Sequence, residues 1–220
     1  METVIINASF RQKAPPLLSD ARPPIVAVTG GIACGKSAFG RFLASTGADL
    51  ADTDEIVHQL QRPGRPLALA IGSAFGPECL LPDGGVDRPA LARIVFHDPA
   101  QLERLNALSH PLVRRYVQDW CREPTSAWLK ACLVPLLFET GWVSDWHWTL
   151  CIACSPETQL KRLMGRGLTA EEAQKRIATQ MPPEEKAARA DIVIRNDGSL
   201  DDLKASVEAL RAILLNRLRT

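Results

Sequence analysis

Lys36 and Ser37 close the octapeptide Gly30-Gly31-Ile32-Ala33-Cys34-Gly35-Lys36-Ser37, which fits G-x-x-x-x-G-K-[ST]. Residues of these types at this spacing handle phosphate. Glycines let a loop wrap closely, so backbone N–H groups point at phosphate oxygens. Lys36 places a point charge at the β and γ phosphates of a nucleotide, and Ser37 offers a hydroxyl to Mg²⁺. A second set is the carboxylate pair Asp52 and Asp54. Two residues apart on an extended backbone, they share a face. Asp52 also suits the N-cap of a helix over 55–60. Asp54 suits chemistry, because a carboxylate positions an attacking hydroxyl and accepts its proton. A third set is basic: Lys161, Arg162, Arg166, Lys175 and Arg176 lie between Pro156 and Arg189. Arg162 and Arg166 fit the stabilisation of a transferring phosphoryl group. Lys175 and Arg176 fit a solvated helix face.

Elements must hold these groups in place. Pro24 to Thr29 is a short apolar, β-branched run and reads as a buried strand leading into the glycine loop. Phe39, Phe42 and Leu43 then recur at helical spacing, so the first helical turn adds its N–H groups and positive dipole end to the loop. Four more strands are expected at 47–51, 127–135, 147–153 and 191–194. Strands alternating with helices argue a three-layer, doubly wound, parallel five-stranded sheet. Residues 55–122 carry little strand signal and read as helices, with His110-Pro111 interrupting the longest of them. His110 reads equally as a substrate contact and as a structural histidine. The core is expected at 24–54 and 125–220, a helical acceptor lobe at about 55–122, and a lid at about 162–182 with Gly165 and Gly167 as hinges. The helix expected over 199–218 reads as packing only. Residues 1–23 are expected to form a weakly ordered extension.

Composition narrows the classes. A formal net charge of +1 lacks the basic excess of a general nucleic-acid binder. No apolar run approaches the roughly 18 residues of a membrane span, and Val4-Ile5-Ile6 is too short for a signal-peptide core. Six cysteines without framework spacing fit reduced thiols in the cytoplasm. Cys151 and Cys154 match C-x-x-C, but on a strand they point to opposite faces, and no second pair completes a zinc site. Cys34, next to a helix N-terminus and Lys36, is expected to be a solvent-open, reactive thiol; otherwise it is a small residue replacing serine. No N-K-x-D guanine-reading segment occurs, which counts against a nucleotide switch.

Taken in order, VTGGIACGKS, Asp52-Thr53-Asp54-Glu55-Ile56, Asp87-Arg88, Leu108-Ser109-His110-Pro111-Leu112-Val113, Pro135-Leu136-Leu137-Phe138-Glu139, Ser155-Pro156-Glu157-Thr158-Gln159-Leu160-Lys161-Arg162 and Ala190-Asp191 through Asn196 resemble the dephospho-coenzyme A kinase family over about 25–218. The resemblance implies a phosphate-loop kinase fold like that of nucleoside monophosphate kinases. It implies transfer of the ATP γ-phosphate to the ribose 3′-hydroxyl of dephospho-coenzyme A, with Mg²⁺. Gly30 through Ala38 would cradle ATP, and Lys36 and Ser37 would meet its phosphates and metal. Asp54 would be the base and Asp52 a substrate-binding residue beside it; Arg88, His110 and Glu139 would lie on the acceptor side or near the catalytic centre. Arg162 and Arg166 would belong to the lid, and Asn196 would lie near the adenine. The family usually has Gly-Ser where this loop has Ala33-Cys34. A nucleoside monophosphate or other small-molecule kinase is the alternative. The expected partners are ATP and the acceptor, without nucleic acid or membrane, in a monomer or weak oligomer.

Overall fold

The computed structural model describes residues 3–13 and 23–219. The chain divides into two units, Met1–Leu50 with Pro124–Thr220, and Ala51–Glu123. The first holds the strand Ile25–Gly30 (β2), followed by the glycine loop and the helix Lys36–Ser45 (α2). Lys130–Leu133 (β4), Trp148–Ala153 (β5) and Ile192–Arg195 (β6) join β2 in one sheet. β2 pairs in parallel with β4 on one side and β5 on the other, with Val26 level with Ala131 and Trp148. β5 in turn pairs in parallel with β6. Every residue of β4 and β5 is buried, as expected for strands covered on both faces.

Among the described residues the sheet has six strands rather than the expected five, in the order β1-β6-β5-β2-β4-β3. Asp49–Asp52 is β3, at one edge. The extra strand, β1, is Val4–Ile6 and pairs antiparallel with β6 at the other edge. The expected weak order of residues 1–23 is therefore corrected for residues 3–13; residues 1–2 and 14–22 lie outside the described residues. The physical reason is a set of long-range partners. Phe10, on the short helix Ala8–Gln12 (α1), is buried with its ring centroid 5.2 Å from that of Trp148. Lys13 pairs at 2.6 Å with Asp191, a buried carboxylate that also accepts from the Thr149 backbone and hydroxyl. The terminal helix Leu200–Arg217 (α10) sends the Arg217 guanidinium to the carbonyls of Arg11 and Lys13.

With β2 central, the chain leaves it toward β4 and β3 and later returns to β5 and β6 on the opposite side. The loop after β2 thus lies at the reversal of strand order, where open α/β sheets bind ligands. The helices Pro156–Met164 (α7), Ala170–Ala178 (α8) and Pro183–Arg189 (α9) occupy the stretch between β5 and β6. Leu203, Val207, Leu210 and Leu214 of α10 are buried in the main core with Val28, Phe39, Leu133 and Leu150.

The second unit is helical: Thr53–Leu60 (α3), Pro66–Phe75 (α4), Arg88–Val95 (α5) and Pro99–Arg122 (α6). Its buried side chains include Leu67, Ile71, Leu91, Val95, Val113 and Val117. The expected break at His110-Pro111 is absent, since α6 runs for 24 residues through Pro111. Proline deletes one backbone donor toward the carbonyl of Ala107, and the turns on either side carry the helix on.

Candidate active site

The glycine loop is shaped by its neighbours. Gly35 takes φ +95°, and a Cβ there would collide with Asn196 Nδ2. Ala33 takes φ +59°, the one non-glycine in the left-handed region among the described residues. A left-handed alanine costs on the order of 1 kcal/mol, a cost that glycine avoids.

Three consecutive loop carbonyls are each held by a side chain. Gln159 Nε2 donates to the Ile32 carbonyl at 2.7 Å. Arg162 Nη1 donates to the Ala33 carbonyl at 3.3 Å, and Asn196 Nδ2 to the Cys34 carbonyl at 2.7 Å. Arg162 also reaches the Asn196 carbonyl through Nη2 at 2.9 Å. Asn196 is buried and follows β6 directly. The next residue, Asp197, accepts from the Ser155 N–H at 2.8 Å and the Thr158 hydroxyl at 2.7 Å. Partial burial opposes its ionisation, but these bonds together hold the carboxyl below the usual carboxylate range. The turn carrying Asn196 is thereby fixed to the first turn of α7.

Arg162 and Arg166, expected as lid arginines, differ. Arg162 is half-buried against the loop backbone, whereas Arg166 is exposed. Both line a cavity of about 320 Å³, together with Ala33, Gly35, Ala38 and Asn196. Leu200 and Leu203 give the same cavity an apolar wall, so the first turn of α10 does more than pack. Ser37 is exposed and Lys36 half-buried at the start of α2.

Glu139 meets the buried ammonium of Lys186 at 2.7 Å and accepts from the Met181 N–H at 3.3 Å. Lys186 also donates to the Pro135 carbonyl at 2.7 Å, so Glu139 is anchored by a buried cation that the sequence reading did not single out. Gln159 and Asp197 were missed as well. Gln159 carried a signal: it falls four residues before Leu163 on the buried stripe of α7, where an apolar residue belongs.

The expected solvent-open Cys34 is corrected, since its side chain is 0% exposed. It belongs to the main core, with Phe39, Ile152 and Cys154. The Cys154 thiol donates to Cys34 Sγ at 3.3 Å. That bond, against the opposing effect of burial, holds Cys34 below the ordinary thiol pKa, with Lys36 acting in the same direction. Donating that bond, together with burial, pushes Cys154 up; burial pushes Cys151 up to about 12. No cluster of three potential metal ligands occurs among the described residues.

In the helical unit, Asp52 caps α3, accepting from the Asp54 N–H at 2.9 Å. The shared extended face expected for Asp52 and Asp54 is corrected, since Asp54 already lies in the first turn of α3. There its exposed carboxylate meets the positive helix end. Arg88 is exposed at the start of α5, behind the Asp87 cap. His110 lies at the surface of α6, and partial burial, then the nearby Arg114, hold its pKa below the usual imidazole value. The structure thus gathers the loop, Arg162, Arg166 and Asn196 in the first unit; Asp54, Arg88 and His110 belong to the second.

A mostly parallel sheet with the glycine loop, Lys36 and Ser37 after its central strand defines a phosphate-loop kinase. The family model described as dephospho-CoA kinase (CoaE) matches residues 24–202. A dephospho-CoA kinase of Symbiobacterium thermophilum is 46% identical over 190 residues, covering 84% of this chain and 79% of that one. The Thermus thermophilus protein TT1252 superimposes with a TM-score of 0.75 at 39% identity, covering 88% of this chain and 98% of its own. Dephospho-CoA kinase from Campylobacter jejuni superimposes with a TM-score of 0.59 at 26% identity, covering 87% of this chain and 97% of its own. The chain belongs to the dephospho-CoA kinase family.

Proposed function

We propose that the protein transfers the γ-phosphate of ATP to the ribose 3′-hydroxyl of dephospho-coenzyme A, giving coenzyme A and ADP. The observation that carries the phosphate half of this reading is the loop at Gly30–Ser37, held by its carbonyls at the end of the central strand. Family membership supports the acceptor.

ATP places its phosphates against the loop and the first turn of α2. The neighbouring cavity, walled by Leu200 and Leu203 and edged by guanidinium groups, suits a flat base. Lys36 stands where negative charge builds as the γ-phosphoryl group leaves ADP. Ser37 is exposed at the second position of α2, and its hard oxygen fits Mg²⁺. When bound, that ion would supply positive charge against the phosphates of ATP. The acceptor oxygen attacks the γ-phosphorus, the bond to the bridging oxygen of ADP breaks, and the hydroxyl proton passes to Asp54. A hydroxyl acceptor needs such a base, whereas a phosphate acceptor is already an anion. Arg166 stabilises the transferring group, and Asp52 shapes the turn presenting Asp54. Arg88, His110 and Glu139 contact the acceptor. The enzyme works in the cytoplasm as a monomer or weak oligomer.

An ADP-release assay with ATP, Mg²⁺ and a panel of acceptors tests this. Turnover with dephospho-coenzyme A alone is expected; turnover confined to nucleoside monophosphates would overturn it.

A further inference from the structure

A trans peptide points the carbonyl of one residue and the N–H of the next in opposite directions. Tying the carbonyls of Ile32 and Cys34 to the Gln159 and Asn196 amides therefore turns the N–H groups of Ala33 and Gly35 away from those side chains. The ties come from α7 and from the turn after β6, two elements joined to each other through Asp197. Gln159 is the least expected of them. It is 1% exposed, and its Oε1 has no partner while its Nε2 serves the Ile32 carbonyl. A buried amide with half its bonds unmade stabilises a fold less than an apolar side chain of that size. Its packing is also close: a Cβ on Gly31 would lie 2.8 Å from Nε2.

We infer that Gln159 is a positioning residue for nucleotide binding, holding the phosphate loop, together with Arg162 and Asn196, in its binding geometry before ATP arrives. This rests on the reading of the loop as the ATP site. Binding to a loop already ordered avoids the cost of ordering it on contact. Losing the Gln159 bond then weakens ATP and leaves the acceptor untouched. One bond of this kind corresponds to a change of about 2–10-fold.

The test compares wild type with Gln159→Met, which keeps the volume, and Gln159→Glu, which keeps the shape but puts an acceptor against a carbonyl. Steady-state kinetics should show ATP KM raised about 2–10-fold in Gln159→Met and further in Gln159→Glu. The kcat and the KM for dephospho-coenzyme A should stay within about twofold. Amide exchange without nucleotide should quicken in the peptide spanning residues 31–37 and not in β5 or α10. Should Gln159→Met fail to fold, Gln159→Glu carries the same comparison. Unchanged ATP KM in folded variants, an equal rise in both KM values, or exchange quickened throughout would overturn the inference. Wild type that does not bind ATP would instead overturn the reading of the loop.

Discussion

Phe10→Ala should lower thermal stability as the truncation of a buried core side chain does. Phe10 is 4% exposed, packs on Trp148, and lies under the Arg217 guanidinium at 5.8 Å. Truncating a buried phenylalanine costs about 3–5 kcal/mol. The lower end applies, because α1 has only five residues and can settle into part of the gap. For a chain of this size each kcal/mol moves the midpoint by about 2–4 °C, so the expected fall is about 6–12 °C. Melting followed by far-UV circular dichroism reads it directly. Phe10→Leu, which keeps most of the apolar area, should fall by less than half as much. Turnover at 25 °C should stay near normal, since the ring partners of Phe10 are Trp148 and Arg217, neither of them assigned to the site. A fall under about 2 °C would refute the docking of residues 3–13 on the sheet.

Lys36→Ala should fold normally and lose about 10²–10³-fold in kcat, as expected when a charge at the developing transition state is removed; near-normal turnover of a folded variant removes Lys36 from the chemistry. Asp54→Asn should bind ATP with normal affinity by calorimetry and lose phosphoryl transfer, because an amide cannot accept the hydroxyl proton. Greater damage to turnover from Asp52→Asn would reverse the assignment, Asp52 being the helix cap. Cys34 and Cys154 should resist alkylation in the native protein and react on unfolding, while Cys121, the one partly exposed cysteine among the described residues, reacts first; peptide mapping with rapid native labelling at Cys34 would contradict its burial.

The phosphate loop was legible because its chemistry is local. Strand, glycine turn and helix are contiguous, so Gly30 through Ser37 carry both the shape and the charge within eight residues. The cap at Asp52 was legible for the same reason, needing only the N–H two residues on. Four of the five expected strands lie within a residue or two of their places, since apolar runs bounded by turns mark buried strands. The fifth, expected at 127–135, keeps only Lys130–Leu133. What only the tertiary structure decided are the contacts between residues far apart in the chain. Val4–Ile6 becomes a strand because Ile192–Ile194 offers its edge, and Phe10 and Lys13 find Trp148 and Asp191 well over a hundred residues away. Cys34 looked reactive beside Lys36, yet its burial and its bond to Cys154 are set by how β5 ends. Arg162 looked like a lid cation, yet its guanidinium is taken up by the Ala33 and Asn196 carbonyls. Periodicity tells which face of a segment is buried, but not what it is buried against, and Gln159 on the inner face of α7 meets the loop only because the sheet brings β2, β5 and β6 side by side.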